Sequence, residues 1–252
     1  MTNIQFRETL IRLGDDSLIL AQRLAEWCGH APILEEDIAL TNIALDLLGR
    51  AQNYLKLAGE LFDPVKSDDD LAYHRDAGEF RNLLLLEQPN GHFGDTICRQ
   101  FLFDYFSLLR AEHLSSQTVN EYVAAIAAKA VKEIRYHAYY SSKWIKRLGD
   151  GTAESHDKIQ GSLDNLWKYT HEMFAVDDFD RASIEAGLLP ELSELKQVWA
   201  KRVGEVISEA TLTIPSNPNM EIGGRQGEHT PHLAVMLEEM QVLPRTYPGT
   251  TW

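Results

Sequence analysis

Apolar residues Phe6, Leu10, Leu13, Leu20, Leu24 and Trp27 recur at threes, fours and one double step, which predicts a helix packed along one side and ending near Gly29. A second pattern starts after Pro32, carries Glu35, Glu36 and Asp37 in its first turn where the helix dipole favours acids, and runs to about Gly59 before Asp63-Pro64 breaks it. After "KSDDD" a weaker helix reaches about Glu87 and is closed by the turn sequence "QPNG". Residues from about 95 to 114 are apolar nearly all round, which predicts a central helix. Two long helices follow, at about 118–148 and 154–174, separated by "LGDGT", where Gly151 ends one and Thr152 caps the next. A last long helix, about 191–212, begins after Pro190 and stops before "PSNPN". Nowhere does a useful length alternate strictly as a half-buried strand does, so the fold class is all-α. Short connections make the long helices an antiparallel bundle. Beyond Pro215 the chain turns to Pro, Gly and His, with one short helix from Pro231 to about Gln241 capped by Thr230. The expected organisation is a helical bundle over 1–214 with additional helices, and an extended Pro/Gly-rich tail over 215–252.

Charge narrows the possible partners. With 38 acidic against 24 basic residues the net charge is -14, and no basic patch is evident, so neither nucleic acid nor an anionic membrane is an expected partner. Cys28 and Cys98 stand far apart with no CxxC pair, which fits a reducing, cytoplasmic setting and offers no zinc framework. The opening "MTNIQFRETL" has no signal-peptide pattern, and runs such as "NLLLLEQP" and "FLFDYFSLLR" fall well short of the ~20 apolar residues that cross a bilayer.

A helical bundle that holds two iron ions draws one carboxylate from each of two helices and an acid-x-x-His pair from each of two others. The i and i+3 positions share a face, so both members of a pair reach the centre. In "ALDLLGRAQ" that spacing falls on Asp46 and Gly49; in "KEIRYH" it falls on Ile134 and His137. Single carboxylates come from Asp16 on the first helix and Asp104 within "FLFDYFSLL". Gly49 and Ile134 offer no donor, so a tightly bound iron pair is not expected. Projection at a helical period sets Asp46 and Gly49 beside Asn42, Asn53, Lys56 and Glu60, which also reads as a solvated stripe. Asp104 aligns with Ile97, Phe101 and Leu108, and His137 with Ile126, Ala130 and Trp144, so both are expected to be buried. A buried acid needs a cation, a proton or good hydrogen bonds, and His137 or Arg50 are candidate partners for Asp104.

Other candidates are thinner. Glu133 and His137 stand four apart, which suits a local pair as well as a metal helix. "GEHTPHLAVMLEE" offers His229 and His232 near Glu238 and Glu239 without a third strong ligand. There is no P-loop, no GxSxG and no GxGxxG after a strand. Tyr136, Tyr139, Tyr140 and Trp144 read as core or partner-facing aromatics.

The stretches "RDAGEFRNLLLLEQPNGHFGDTICRQFLFD" (75–104) and "GRQGEHTPHLAVMLEEMQVLPRTYPGTTW" (224–252), with "DLLGRAQ" and "KEIRYH", resemble the C subunits of bacterial phenylacetyl-CoA epoxidases along the whole chain. The resemblance implies a ferritin-like bundle in a multicomponent monooxygenase of aerobic phenylacetate breakdown, which inserts one oxygen atom of O2 into the ring of phenylacetyl-CoA. It further implies that iron lies in a catalytic A subunit, that NADPH, FAD and iron–sulfur belong to a reductase component, and that the C-type chain carries no cofactor and is structural. The departures at Gly49 and Ile134 agree with that role. The implied partners are the A subunit and the other epoxidase components; a third reading has the scaffold also touch the CoA part of the substrate through Lys or Arg near the interface. Arg225, His229, His232, Tyr247 and Trp252 of the tail are candidate partner contacts, unless the tail folds back on its own bundle. The competing reading is a self-sufficient metal-binding ferritin-like oxidase or oxygenase.

Overall fold

A computed structural model describes residues 1–216 and 219–250, and these contain helices and no strand. The α-helices are α1 (Asn3–Ala25), α2 (Leu34–Gly59), α3 (Asp68–Tyr73), α4 (Phe93–Ser116), α5 (Glu121–Gly149), α6 (Ala153–Leu166), α7 (Asp178–Glu185), α8 (Leu192–Glu209) and α9 (Pro231–Thr246), with 3-10 turns at Ala77–Glu79, Trp167–Phe174 and Gly224–Gln226. The all-α expectation is met. Backbone contacts group the chain into two compact units, Met1–Pro89 with Gly223–Trp252, and Asn90–Ile222. No helix among the described residues is long and apolar enough to cross a membrane.

In the first unit α1 and α2 form the main pair. α1 opens on a capping box between Thr2 and Gln5, and its apolar stripe is buried through Leu10, Leu13, Leu20 and Leu24. At Gly14 a β-carbon would lie 2.6 Å from the Leu55 side chain, so glycine lets the two helices approach there. The helix expected to reach Glu87 forms only as α3. From Phe80 to Glu87 the chain is irregular, yet Phe80, Leu83, Leu85 and Leu86 are fully buried. Side chains of α1 take over its backbone groups. Asp15 accepts from Arg81 N–H (2.8 Å), Asp16 accepts from Leu83 N–H (3.1 Å), and Arg23 donates to the Glu87 carbonyl (3.1 and 2.6 Å). An apolar run whose backbone is satisfied from outside has no need of a helix to be buried.

In the second unit α4 is the central element, with Ile97, Phe101, Leu102 and Phe103 buried on several sides of one helix. α5 starts at Asn120, whose side chain accepts from the N–H groups of Tyr122 and Val123. Thr152 caps α6 by accepting from Ser155 N–H, as the sequence predicts. The expected helix 154–174 tightens into a 3-10 turn at Trp167, where Trp167 and Phe174 pack on Trp199 at centroid distances of 5.7 and 5.3 Å. The Trp199 indole N–H donates to the Leu102 carbonyl (3.0 Å), tying α8 to α4. α7 is a separate helix that the hydrophobic pattern did not distinguish.

Candidate functional site

The chemistry of the first unit centres on three carboxylates with no solvent exposure, Asp15, Asp16 and Glu87. Asp15 faces Arg75 in a two-point contact, Nη1 to Oδ2 at 2.9 Å and Nη2 to Oδ1 at 2.5 Å. Asp16 faces Arg225 in the same way, Nη1 to Oδ1 and Nη2 to Oδ2, both at 2.9 Å. Such forked pairs match the planar guanidinium to both carboxylate oxygens and offset the cost of burying the charges. Arg225 also donates to the Arg81 carbonyl (2.5 Å), and its neighbour Gly224 lies so close to Asn82 that any side chain would collide with the Asn82 carbonyl. Glu87 accepts from Asn82 Nδ2 (2.9 Å), from Thr230 N–H (2.6 Å) and from the Thr230 hydroxyl (2.8 Å), and its Oε2 lies 2.7 Å from His229 Nδ1. His229 Nε2 meets the Phe80 carbonyl at 3.0 Å, and a carbonyl only accepts. Glu87 therefore collects donors on both oxygens and His229 supplies one from each ring nitrogen. Thr230 precedes α9 as expected, but its hydroxyl serves Glu87 and not the helix end.

In the second unit Asp104 and His137 are each 1% exposed, as their apolar neighbours predicted. Asp104 accepts from Gln100 Nε2 (2.5 Å) and from the Ser141 hydroxyl (2.8 Å), and within the first unit Arg50 donates to Ser17 (3.1 Å). Ile134 is buried at 1% exposure. Cys98 is buried, and that burial first, then the charges of Asp95 and Asp164, pushes its thiol well above the usual range, so it is inert as a nucleophile.

Each candidate ligand position lies within its own unit. Both oxygens of Asp16 are held by Arg225, both oxygens of Asp104 take hydrogen bonds from neighbours, and Gly49 and Ile134 bring no donor. Asp46 and Gly49 lie partly exposed on α2 in line with exposed Asn42, Asn53, Lys56 and Glu60, and a β-carbon added at Gly49 would meet nothing within 4 Å. Among the described residues no three His, Cys, Asp or Glu side chains converge as a metal would need, and that includes the grouping of His229 and His232 with Glu238 and Glu239. Of the tail residues, Arg225 and His229 turn into their own unit, His232 and Tyr247 are exposed, and Trp252 lies outside the described residues. Sequence reasoning did not foresee Asp15, Arg75 or Glu87. The available signal was the acid doublet in "LGDDSLIL", two charges set in an apolar helix stripe that demand buried partners.

α2 also presents a different kind of surface. Leu34, Ile38, Leu45 and Leu48 are all exposed and fall at steps of four, seven and three, which is the spacing of a seam that packs on another helix.

Residues 2–252 match a family described as "Phenylacetic acid catabolic protein". The chain is 47% identical over 242 residues to the C subunit of the 1,2-phenylacetyl-CoA epoxidase of Escherichia coli (strain K12), an alignment that covers 96% of this chain and 97% of that one.

Proposed function

The chain belongs to the phenylacetic acid catabolic protein family, and from that premise we propose that it is the structural, non-catalytic subunit of a phenylacetyl-CoA epoxidase, a multicomponent monooxygenase of phenylacetate breakdown. In this reading it keeps a ferritin-like bundle, stabilises a catalytic A subunit that carries the iron, helps to shape that subunit's substrate site, and itself contributes no cofactor. The observation that carries the proposal is the state of the ligand positions: Asp16 and Asp104 are engaged by their own chain, and Gly49 and Ile134 break both acid-x-x-His pairs. The exposed apolar seam of α2 supports the second half of the proposal, because large apolar side chains left in line on a helix are the material of a stable interface between subunits.

Iron loading tests it. The purified chain, mixed anaerobically with ferrous iron and desalted, is expected to retain well below about one equivalent and to show no new ultraviolet absorbance on exposure to O2, because its donor set is incomplete. A stable two-iron species would overturn the proposal. In cells, Leu45→Glu/Leu48→Glu is expected to abolish copurification with the A subunit while leaving the chain folded, since both side chains are exposed on the helix surface and outside the buried core.

A further inference from the structure

The acidic composition conceals one basic face. α5 carries Lys129, Lys132, Arg135, Lys143, Lys146 and Arg147 against only Glu121 and Glu133, in a chain whose net charge is -14. A single exposed row runs from Tyr122 through Lys129, Lys132, Tyr136 and Tyr139 to Lys143, at steps of seven, three, four, three and four. The three tyrosines are 64%, 50% and 61% exposed. Neither Lys132 nor Lys143 has an ion-pair partner among the described residues, and Lys143 lies over the Tyr139 ring at 5.4 Å. The other lysines and Arg135 have solvent-accessible partners, Lys129 with Glu133 at 3.6 Å, Arg135 with Glu112 at 3.1 Å and Lys146 with Glu209, and surface pairs of this kind contribute little.

We propose that this face of α5 is the docking surface for an acidic helix of another component of the same complex, distinct from the subunit that packs on the α2 seam. The proposal rests on the reading of the chain as a subunit of a larger assembly. Three features select the occupant. The row keeps the 3.5-residue repeat, which stays on one side of a helix over about 30 Å and is matched by a second helix lying alongside. Its charge calls for carboxylates opposite Lys132 and Lys143, and those lysines would lose no existing ion pair on binding. Exposed tyrosines between them supply flat contact area with a hydroxyl that tolerates a wet rim, the chemistry enriched where proteins meet. A nucleotide or CoA fits less well, because a straight row of about 30 Å spreads the charge beyond the reach of one small molecule. A duplex phosphate backbone curves away from such a row and is repelled by the rest of the chain.

The full-length chain is titrated with each of the other purified epoxidase components at low and at raised salt. One acidic component is expected to bind in a salt-dependent manner. Lys132→Glu/Lys143→Glu should weaken it by about tenfold or more at low salt, and Tyr136→Ala/Tyr139→Ala should weaken it by a similar factor at both salt concentrations. Neither variant should disturb the association that Leu45→Glu/Leu48→Glu abolishes. If the α2 variant loses its partner while both α5 variants bind every component as the parent does, the α5 assignment falls and the subunit reading stands. If the parent chain binds no component at all, both fall. Tighter binding of an oligonucleotide, of CoA or of anionic phosphatidylserine vesicles than of any component would also overturn it.

Discussion

Arg225→Met is expected to destabilise the first unit by about 3–5 kcal/mol, the loss that follows when one partner of a buried ion pair is removed and the other is left behind. The stranded group is Asp16, which has no solvent exposure and receives both guanidinium nitrogens of Arg225 at 2.9 Å. Methionine fills part of the volume but offers no donor, so the effect reports charge and hydrogen bonding more than packing. The Leu83 N–H also reaches Asp16, but a neutral donor does not replace the charge that Arg225 brings to a carboxylate with no solvent exposure. Adding Asp16→Asn to Arg225→Met should recover a large part of the loss, because the amide removes the uncompensated charge. Hydrogen exchange of the 80–87 backbone, read alongside urea unfolding, localises the change to the segment that Asp15 and Asp16 organise. A loss below about 1 kcal/mol would mean that the pair is open to water, since exposed ion pairs contribute no more than that.

The stability of this pair bears on the proposed function, because Asp16 is one of the positions that the sequence offers as a candidate ligand. A carboxylate held at both oxygens by arginine cannot serve a metal without first surrendering that partner, and the partner comes from a segment more than two hundred residues further along the chain. The tail thus engages both oxygens of an acid that the helical spacing offers as a ligand. Sequence alone revealed half of this. The loss of donors at Gly49 and Ile134 is visible in the letters, because no rotamer turns glycine or isoleucine into a ligand. Burial of Asp104 and His137 was visible in the periodicity of their neighbours. The pairing of Asp16 with Arg225 was not, because helix periodicity carries no information about which distant residue returns to a given face. Leu83 to Leu86 misled for a related reason: four leucines in a row read as part of a helix, whereas their burial comes from side chains of α1 satisfying the backbone around them. The tail's Pro, Gly and His content suggested an arm, but a glycine required by contact with Asn82 and an arginine required by Asp16 look in sequence like any others.

Glu87→Ala is the second substitution with a large expected effect, again about 3–5 kcal/mol, because the buried carboxylate joins Asn82 to the start of α9 through His229 and Thr230. Asn82, His229 and the backbone and hydroxyl of Thr230 all donate to it, and its own main-chain carbonyl receives Arg23. Alanine leaves those donors facing one another in a site with no solvent exposure. Glu87→Gln separates charge from shape. Its carbonyl oxygen can keep Thr230, and its amide can donate to a neutral His229 that still gives its Nε2 proton to Phe80, but the same amide then opposes Asn82 Nδ2. One unsatisfied donor costs about 1–3 kcal/mol, so the glutamine variant should fall between the parent and alanine. Limited proteolysis at 223–228 gives the second readout, since α9 begins at Pro231 directly after the two residues that Glu87 holds. Cleavage should be fastest in the alanine variant and intermediate in glutamine. Equal protection of all three forms would show that α9 is anchored by Gln241 and Arg245, which donate to the carbonyl of Arg75, and that the Glu87 cluster follows the tail's position without setting it.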